Sequence, residues 1–161
     1  MSIDQNQLRK VMRQWTSGVT VVSAHYHGKD HGMTVSSFTS VSIDPPLVTI
    51  SLMKDSRTLE MILRSNSFGI TILSIEQMEI SKIFAGQIED TENRFSTVDT
   101  IRLVTGSPLA KGGLAFFDCE VSQVIDFATN SLIIGEVIAA ETGEQNHPLL
   151  YFDQQYHQLQ E

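Results

Sequence analysis

Leu8, Val11, Met12 and Trp15 recur at three- and four-residue intervals near the start of the chain, a spacing that gathers them on one face of a helix. Ser2 and Gln5 precede them at capping-box distance, so the pattern predicts a helix over 3–15 that ends before Gly18. The β-branched run GVTVVSA then predicts a strand over 18–24, closed by the polar turn HGKDHG. A partner strand is expected over 33–43. It stops at Asp44-Pro45-Pro46, because neither proline can donate to a ladder, and LVTISLM follows as a third strand.

Leu59, Ile62 and Leu63 fall on one helical face behind Ser56, which stands as N-cap of a helix reaching Asn66. Residues 67–73 return to strand character. Ser74 and Gln77 form a second capping-box match that opens a helix ending near Gly86, and 87–112 read as turn-rich. Between Ala115 and Phe127 the odd positions Ala115, Phe117, Cys119, Val121, Ile125 and Phe127 are apolar while Asp118, Glu120, Ser122 and Asp126 are polar, which predicts a strand with Cys119 on its dry face. A turn at 128–130, the strand LIIGEVIAA and a final strand in HPLLYFDQQYHQL complete the chain. Strands outnumber helices and no regular βαβ alternation appears. A small antiparallel barrel with peripheral helices fits this order best.

Length adds that residues 1–161 suit one domain with a sizeable core. The net charge of −8 opposes nucleic acid, and no local basic patch offsets it. The polar N-terminus lacks a signal-peptide core, and no apolar stretch nears the ~20 residues of a membrane span. A cytoplasmic protein without a membrane partner is therefore expected, and the single Cys119 agrees with a reducing compartment.

Two segments carry candidate chemistry. Thr34, Ser36, Ser37, Thr39, Ser40 and Ser42 put hydroxyls on both faces of the second strand. They suit the polar edge of a flat heterocycle, and equally an edge strand facing water. In SLMKDSRT, Lys54 and Arg57 stand with three hydroxyls at a helix start, where free N–H groups and the helix dipole favour an anion. The same residues serve as a plain N-cap with solvated cations. His25, His27 and His31 crowd one hairpin end, but no carboxylate or cysteine completes a metal-ligand spacing there, so no metal site is expected.

Taken in order, WTSGVTVVSA, GMTVSSFTSVSIDPPLVTISL, KDSRT, SFGITIL, IFAG, RF and PLLYF resemble the flavin reductase family, over nearly the whole chain from Trp15 to Tyr156. The resemblance implies a mainly β fold with peripheral helices, a split antiparallel β-barrel of the FMN-binding type. It also implies a homodimer with a flavin groove near the interface. The implied activity is NAD(P)H-dependent reduction of FMN, with FAD possible, supplying reduced flavin to the oxygenase component of a two-component monooxygenase.

Carried over residue by residue, the resemblance sets Thr34, Val35, Ser36 and Ser37 against the flavin ring, bordered by Ser51, Leu52 and Met53. It sets Lys54, Ser56 and Thr58 at the phosphate, and Phe84 and Ala85 in the groove wall. The nicotinamide side falls on Arg94 and Phe95. Many relatives carry Asp-His where this chain has Thr129 and Asn130, and His147 suits either a stand-in for that histidine or a plain turn residue beside Pro148. The departure keeps a second function in view, a flavin-binding carrier or redox sensor with little turnover. No acid–base residue is needed in either case, because the cofactor carries the hydride chemistry.

Overall fold

The computed structural model describes residues 2–87 and 93–160. The chain opens with α1 (Gln5–Met12), then β1 (Ser17–Gly18), β2 (Thr20–Tyr26), β3 (Lys29–Val35), β4 (Thr39–Ser42) and β5 (Leu47–Met53). Helix α2 (Arg57–Ser65), β6 (Ser67–Ile72) and α3 (Met78–Phe84) follow. After the short β7 (Thr100–Ile101) and β8 (Leu109–Ala110) come the two long strands β9 (Ala115–Asp126) and β10 (Asn130–Thr142). The C-terminal hairpin is β11 (Leu150–Phe152) and β12 (Gln155–His157).

Seven strands form one antiparallel sheet in the order β3-β2-β6-β9-β10-β5-β4. Its two edges, β3 and β4, are consecutive in the chain. Residues 36–38 therefore cross from one edge to the other, and the barrel is closed there by covalent chain rather than by a ladder. This is a split antiparallel β-barrel, as expected. The hydroxyl-rich run 33–43, expected as one strand, is two strands at opposite edges with the seam between them. The proline break is placed as expected, with a cis peptide at Asp44-Pro45.

The barrel interior holds Val22, Ala24, Ile50, Leu52, Phe68, Ile70, Cys119 and Ile133, and α2 adds Leu59 and Ile62. A second cluster lies on the other side of β2, where Val19, Val21, Leu73, Phe84, Phe95 and Leu149 meet. Strand β2 is buried on both faces, which explains its nearly unbroken apolar run. The ring of Phe68 lies against Gly135, where an added Cβ would sit 2.4 Å from Phe68 Cζ.

Several expectations are corrected. Helix α1 is capped by Asp4, whose carboxylate accepts from Gln7 N, not by Ser2, and it ends at Met12 with none of its residues buried. A bulge at Ser122 shifts the β9–β10 register between Gly135↔Val121 and Ile134↔Gln123. The extra residue reverses the alternation, so Ile125 and Phe127 leave the core face and Phe127 is exposed. Asp118, expected in water, is fully buried. Its carboxylate accepts from the N–H groups of Val104 and Thr105, both at 2.7 Å, and from the Thr105 hydroxyl at 2.5 Å. Part of the turn-rich stretch, 88–92, lies outside the described residues. Among the described residues no helix is long and apolar enough to cross a membrane.

Candidate active site

A cavity of about 550 Å³ opens beside the seam, within the range of roughly 300–1,000 Å³ usual for small-molecule sites. Strand β3 contributes His31, Met33 and Thr34, and Ser36 follows where the strand gives out. The start of α2 brings Ser56, Arg57 and Thr58. Ser81, Phe84 and Ala85 of the α3 region form a third wall with Arg94, and Tyr151 and Tyr156 of the C-terminal hairpin close the fourth.

Each wall has a local cause. Ser56 caps α2 through its hydroxyl, which accepts from Leu59 N at 3.3 Å. The N–H groups of Arg57 and Thr58 lie in the first turn, where a helix has no internal acceptor for them. Arg57 itself lines the cavity together with these amides, so this corner suits an anion. His31 Nδ1 lies 2.9 Å from the Thr58 hydroxyl and ties β3 to the helix start.

At the seam, the Thr34 hydroxyl donates to the Ser81 carbonyl at 2.6 Å, which leaves it only its acceptor capacity. The Ser37 hydroxyl is also committed, donating to Ser51 O at 3.0 Å and accepting from Ser51 N at 2.9 Å. Among the described residues, the N–H groups of Ser36, Ser37 and Phe38 donate to no protein acceptor. Donors at the seam are therefore main-chain amides and the Ser36 hydroxyl. Arg94 Nη1 donates to the Phe84 carbonyl at 3.0 Å, and Phe95 packs behind Phe84 with ring centroids 4.6 Å apart and planes tilted by 53°. The Tyr156 hydroxyl meets Ser81 Oγ at 2.8 Å, which locks the C-terminal hairpin to α3.

Of the residues expected at the flavin and nicotinamide, the structure brings together Thr34, Ser36, Ser56, Thr58, Phe84, Ala85 and Arg94. The others stand apart from the cavity. Val35 and Leu52 are buried in the barrel core because alternation turns them inward. Ser37 and Ser51 bond each other, and Met53 is exposed. Lys54 points away, its Nζ 3.9 Å from Asp126, because its backbone N–H is drawn to Thr129 O at the β10 end. Phe95 supports the wall from behind. Asn130 Nδ2 reaches Ser51 Oγ at 3.4 Å, and His147 is exposed with its carbonyl accepting from Ile75 N, so neither lines this cavity.

Residues missed in the sequence include Arg57, His31, Ser81, Tyr151 and Tyr156. Arg57 was visible as one of two cations, but only the tie of the Lys54 backbone to Thr129 O selects it over Lys54. His31 stood in a histidine cluster whose members go separate ways: His25 pairs with Asp30, His27 stacks on Tyr26, and His31 meets Thr58. The two tyrosines enter because Asp153 and Gln154, both at positive φ, turn the last segment into a hairpin. Cys119 takes no part. Burial and then the Asp118 charge push its thiol up to about 12.

The sequence pattern of the flavin reductase like domain matches residues 12–160. This chain belongs to that family. It is 35% identical over 161 residues to the NADH-dependent flavin reductase StyB of Pseudomonas fluorescens, covering 98% of this chain and 91% of that protein. The structure of the styrene monooxygenase flavin reductase SMOB from Pseudomonas putida S12 superposes with a TM-score of 0.86 at 33% identity, covering 96% and 97% of the two chains. The Streptomyces globisporus NADH:FAD oxidoreductase SgcE6, solved with NAD and FAD fragments, gives a TM-score of 0.89 at 30% identity over 98% and 93%.

Proposed function

We propose that this chain is an NADH-dependent flavin reductase that holds flavin in the cavity beside the seam. The observation that carries the reading is the meeting, in one space of about 550 Å³, of three kinds of wall. The Ser36 amide, which has no protein acceptor among the described residues, an anion-favouring helix start and the apolar surfaces of Val19, Met33 and Phe84 suit a flat heterocycle bearing a phosphate. When bound, the flavin accepts hydride from the reduced nicotinamide and supplies reducing equivalents for use elsewhere.

The chain's own contributions are binding and orientation. The amide of Ser36, the seam residue that lines the cavity, donates to the ring's polar edge, where negative charge grows on reduction. Ser56, Arg57 and Thr58 hold the phosphate, with Arg57 in the role expected of Lys54. Phe84, backed by Phe95, and the pair Tyr151 and Tyr156 bound the space in which the nicotinamide must lie against the flavin. Arg94 fixes that wall through the Phe84 carbonyl.

The whole chain acts as one domain in this reading, and the cytoplasm is its place of work. Exposed Met53 and Phe127, at neighbouring ends of β5 and β9, support a homodimer through that face of the sheet. SMOB's role as a monooxygenase's reductase supports an oxygenase consumer of the reduced flavin. The experiment is a titration with FMN and FAD followed by NADH oxidation, with light scattering on the same sample. Tight flavin binding, turnover and a dimer mass are expected. Bound flavin that NADH leaves oxidised would favour the carrier instead.

A further inference from the structure

The C-terminal hairpin of β11 and β12 stands outside the seven-stranded sheet, and beyond itself it pairs only with the two residues of β1. Its root is fixed, since Leu149 is fully buried and its N–H donates to Leu73 O at 3.1 Å. Its tip is held by one main-chain bond, from Asp153 N to Arg13 O at 3.1 Å. Between root and tip the Tyr156 hydroxyl meets Ser81 Oγ at 2.8 Å, and among the described residues this is the one side-chain hydrogen bond from the hairpin to the rest of the chain. The barrel ladder therefore does not set where this wall of the cavity stands.

Ser81 reaches the facing wall as well. Its carbonyl accepts the Thr34 hydroxyl at 2.6 Å on the seam side, while its own hydroxyl meets Tyr156. One residue of α3 is thus hydrogen-bonded both to the strand edge beside the flavin ring and to the hairpin that bounds the nicotinamide space. Serine is a weak helix former, yet Ser81 sits in the middle of α3 and is fully buried. Alanine would fill the same position with better propensity and without a buried hydroxyl that needs a partner. What the serine adds is the bond across to Tyr156.

We propose that Ser81 and Tyr156 act together as positioning residues for hydride transfer, bracing the hairpin wall at the spacing from the seam that brings the nicotinamide ring against the flavin. The inference rests on the flavin reductase reading. Two electrons and one proton pass as hydride from NADH to flavin, leaving NAD⁺ and reduced flavin, and neither side chain exchanges a proton. The reacting atoms must come within roughly 3–3.5 Å, so a wall displaced by even about 1 Å lowers the rate of transfer. Binding changes little, because the rest of the dinucleotide keeps its contacts.

The test is anaerobic mixing of FMN-loaded protein with increasing NADH, for the wild type, Tyr156→Phe, Ser81→Ala and the double variant, with dithionite as the control reductant. Each single variant should lower the limiting rate of flavin bleaching about tenfold, with the half-saturating NADH concentration and the FMN affinity little changed. The double variant should be no slower than the singles, because each removes the same bond. Dithionite needs no stacked ring, so its rate should be the same in all four proteins. A limiting rate unchanged in Tyr156→Phe would overturn the proposal. So would losses that multiply in the double variant, or a slower dithionite reaction, which would move the fault to the flavin side. If Ser81→Ala loses its native circular dichroism, the limiting rate of Tyr156→Phe decides alone. A wild type that binds FMN but that NADH leaves oxidised would overturn the flavin reductase reading and this inference with it, whereas a normal wild type beside an unaffected Tyr156→Phe overturns the inference alone.

Discussion

His31 Nδ1 and the Thr58 hydroxyl, 27 residues apart in sequence, meet at 2.9 Å and join β3 to the first turn of α2. This contact sets where the helix start faces. Thr58 is almost wholly buried, so Thr58→Val keeps its shape and removes only the hydrogen bond. A stability loss of about 0.5–1.5 kcal/mol is expected in chemical denaturation, with an unchanged m-value. FMN affinity should fall as well, since the corner that holds the phosphate loses its brace.

Arg57 and Lys54 are three residues apart, yet only Arg57 borders the cavity. Arg57→Ala should weaken FMN by about 1.5–3 kcal/mol and spare riboflavin, which lacks the phosphate. Lys54→Ala should leave both ligands as they were. Equal losses of FMN and riboflavin on Arg57→Ala would remove the phosphate from this corner.

Asp118 fastens the 104–105 segment to β9 through three accepted hydrogen bonds. Asp118→Ala would strand those donors and should cost about 2–3 kcal/mol. Asp118→Asn keeps an acceptor oxygen and should cost less. Thermal unfolding of the two variants side by side gives the order.

Asp30 supplies a pH dependence. Burial by itself raises its carboxyl, but hydrogen bonds from Arg102 and His25, helped by their charges, hold it below the ordinary carboxylate value. A depressed folded-state pKa adds stability above the unfolded value of about 3.9, and that stability is lost as pH falls through the folded value. The stability difference between wild type and Asp30→Asn should therefore shrink as pH falls below about pH 4. A difference that stayed constant through that acid range would contradict the Arg102–Asp30–His25 cluster.

Most strands were legible in the sequence because their alternation or two-sided burial leaves a plain trace, as in Val21 and Val22 on opposite faces of β2. The seam was visible only as an odd excess of hydroxyls at 34–42. Reading it as one strand was natural, since a break between two sheet edges depends on closure of the whole barrel and leaves no local mark. The bulge at Ser122 is another silent feature, and it carried the phase of Ile125 and Phe127 the wrong way. Resemblance located Thr34, Ser36, Ser56, Thr58, Phe84, Ala85 and Arg94, all of which border one cavity. It missed Tyr151 and Tyr156 because they arrive from the far end of the chain through a hairpin whose turn, Asp153-Gln154, has no glycine to announce it.

Flavin held in the cavity beside the seam should be reduced by NADH. Anaerobic mixing of NADH with the flavin-loaded protein, followed through the flavin's visible absorbance, tests it most directly, with Ser36→Pro as the seam variant that removes one N–H donor. Rapid bleaching is expected in the wild type, with slower bleaching and weaker flavin binding in Ser36→Pro. Bleaching in the wild type no faster than that of free flavin in buffer would contradict it.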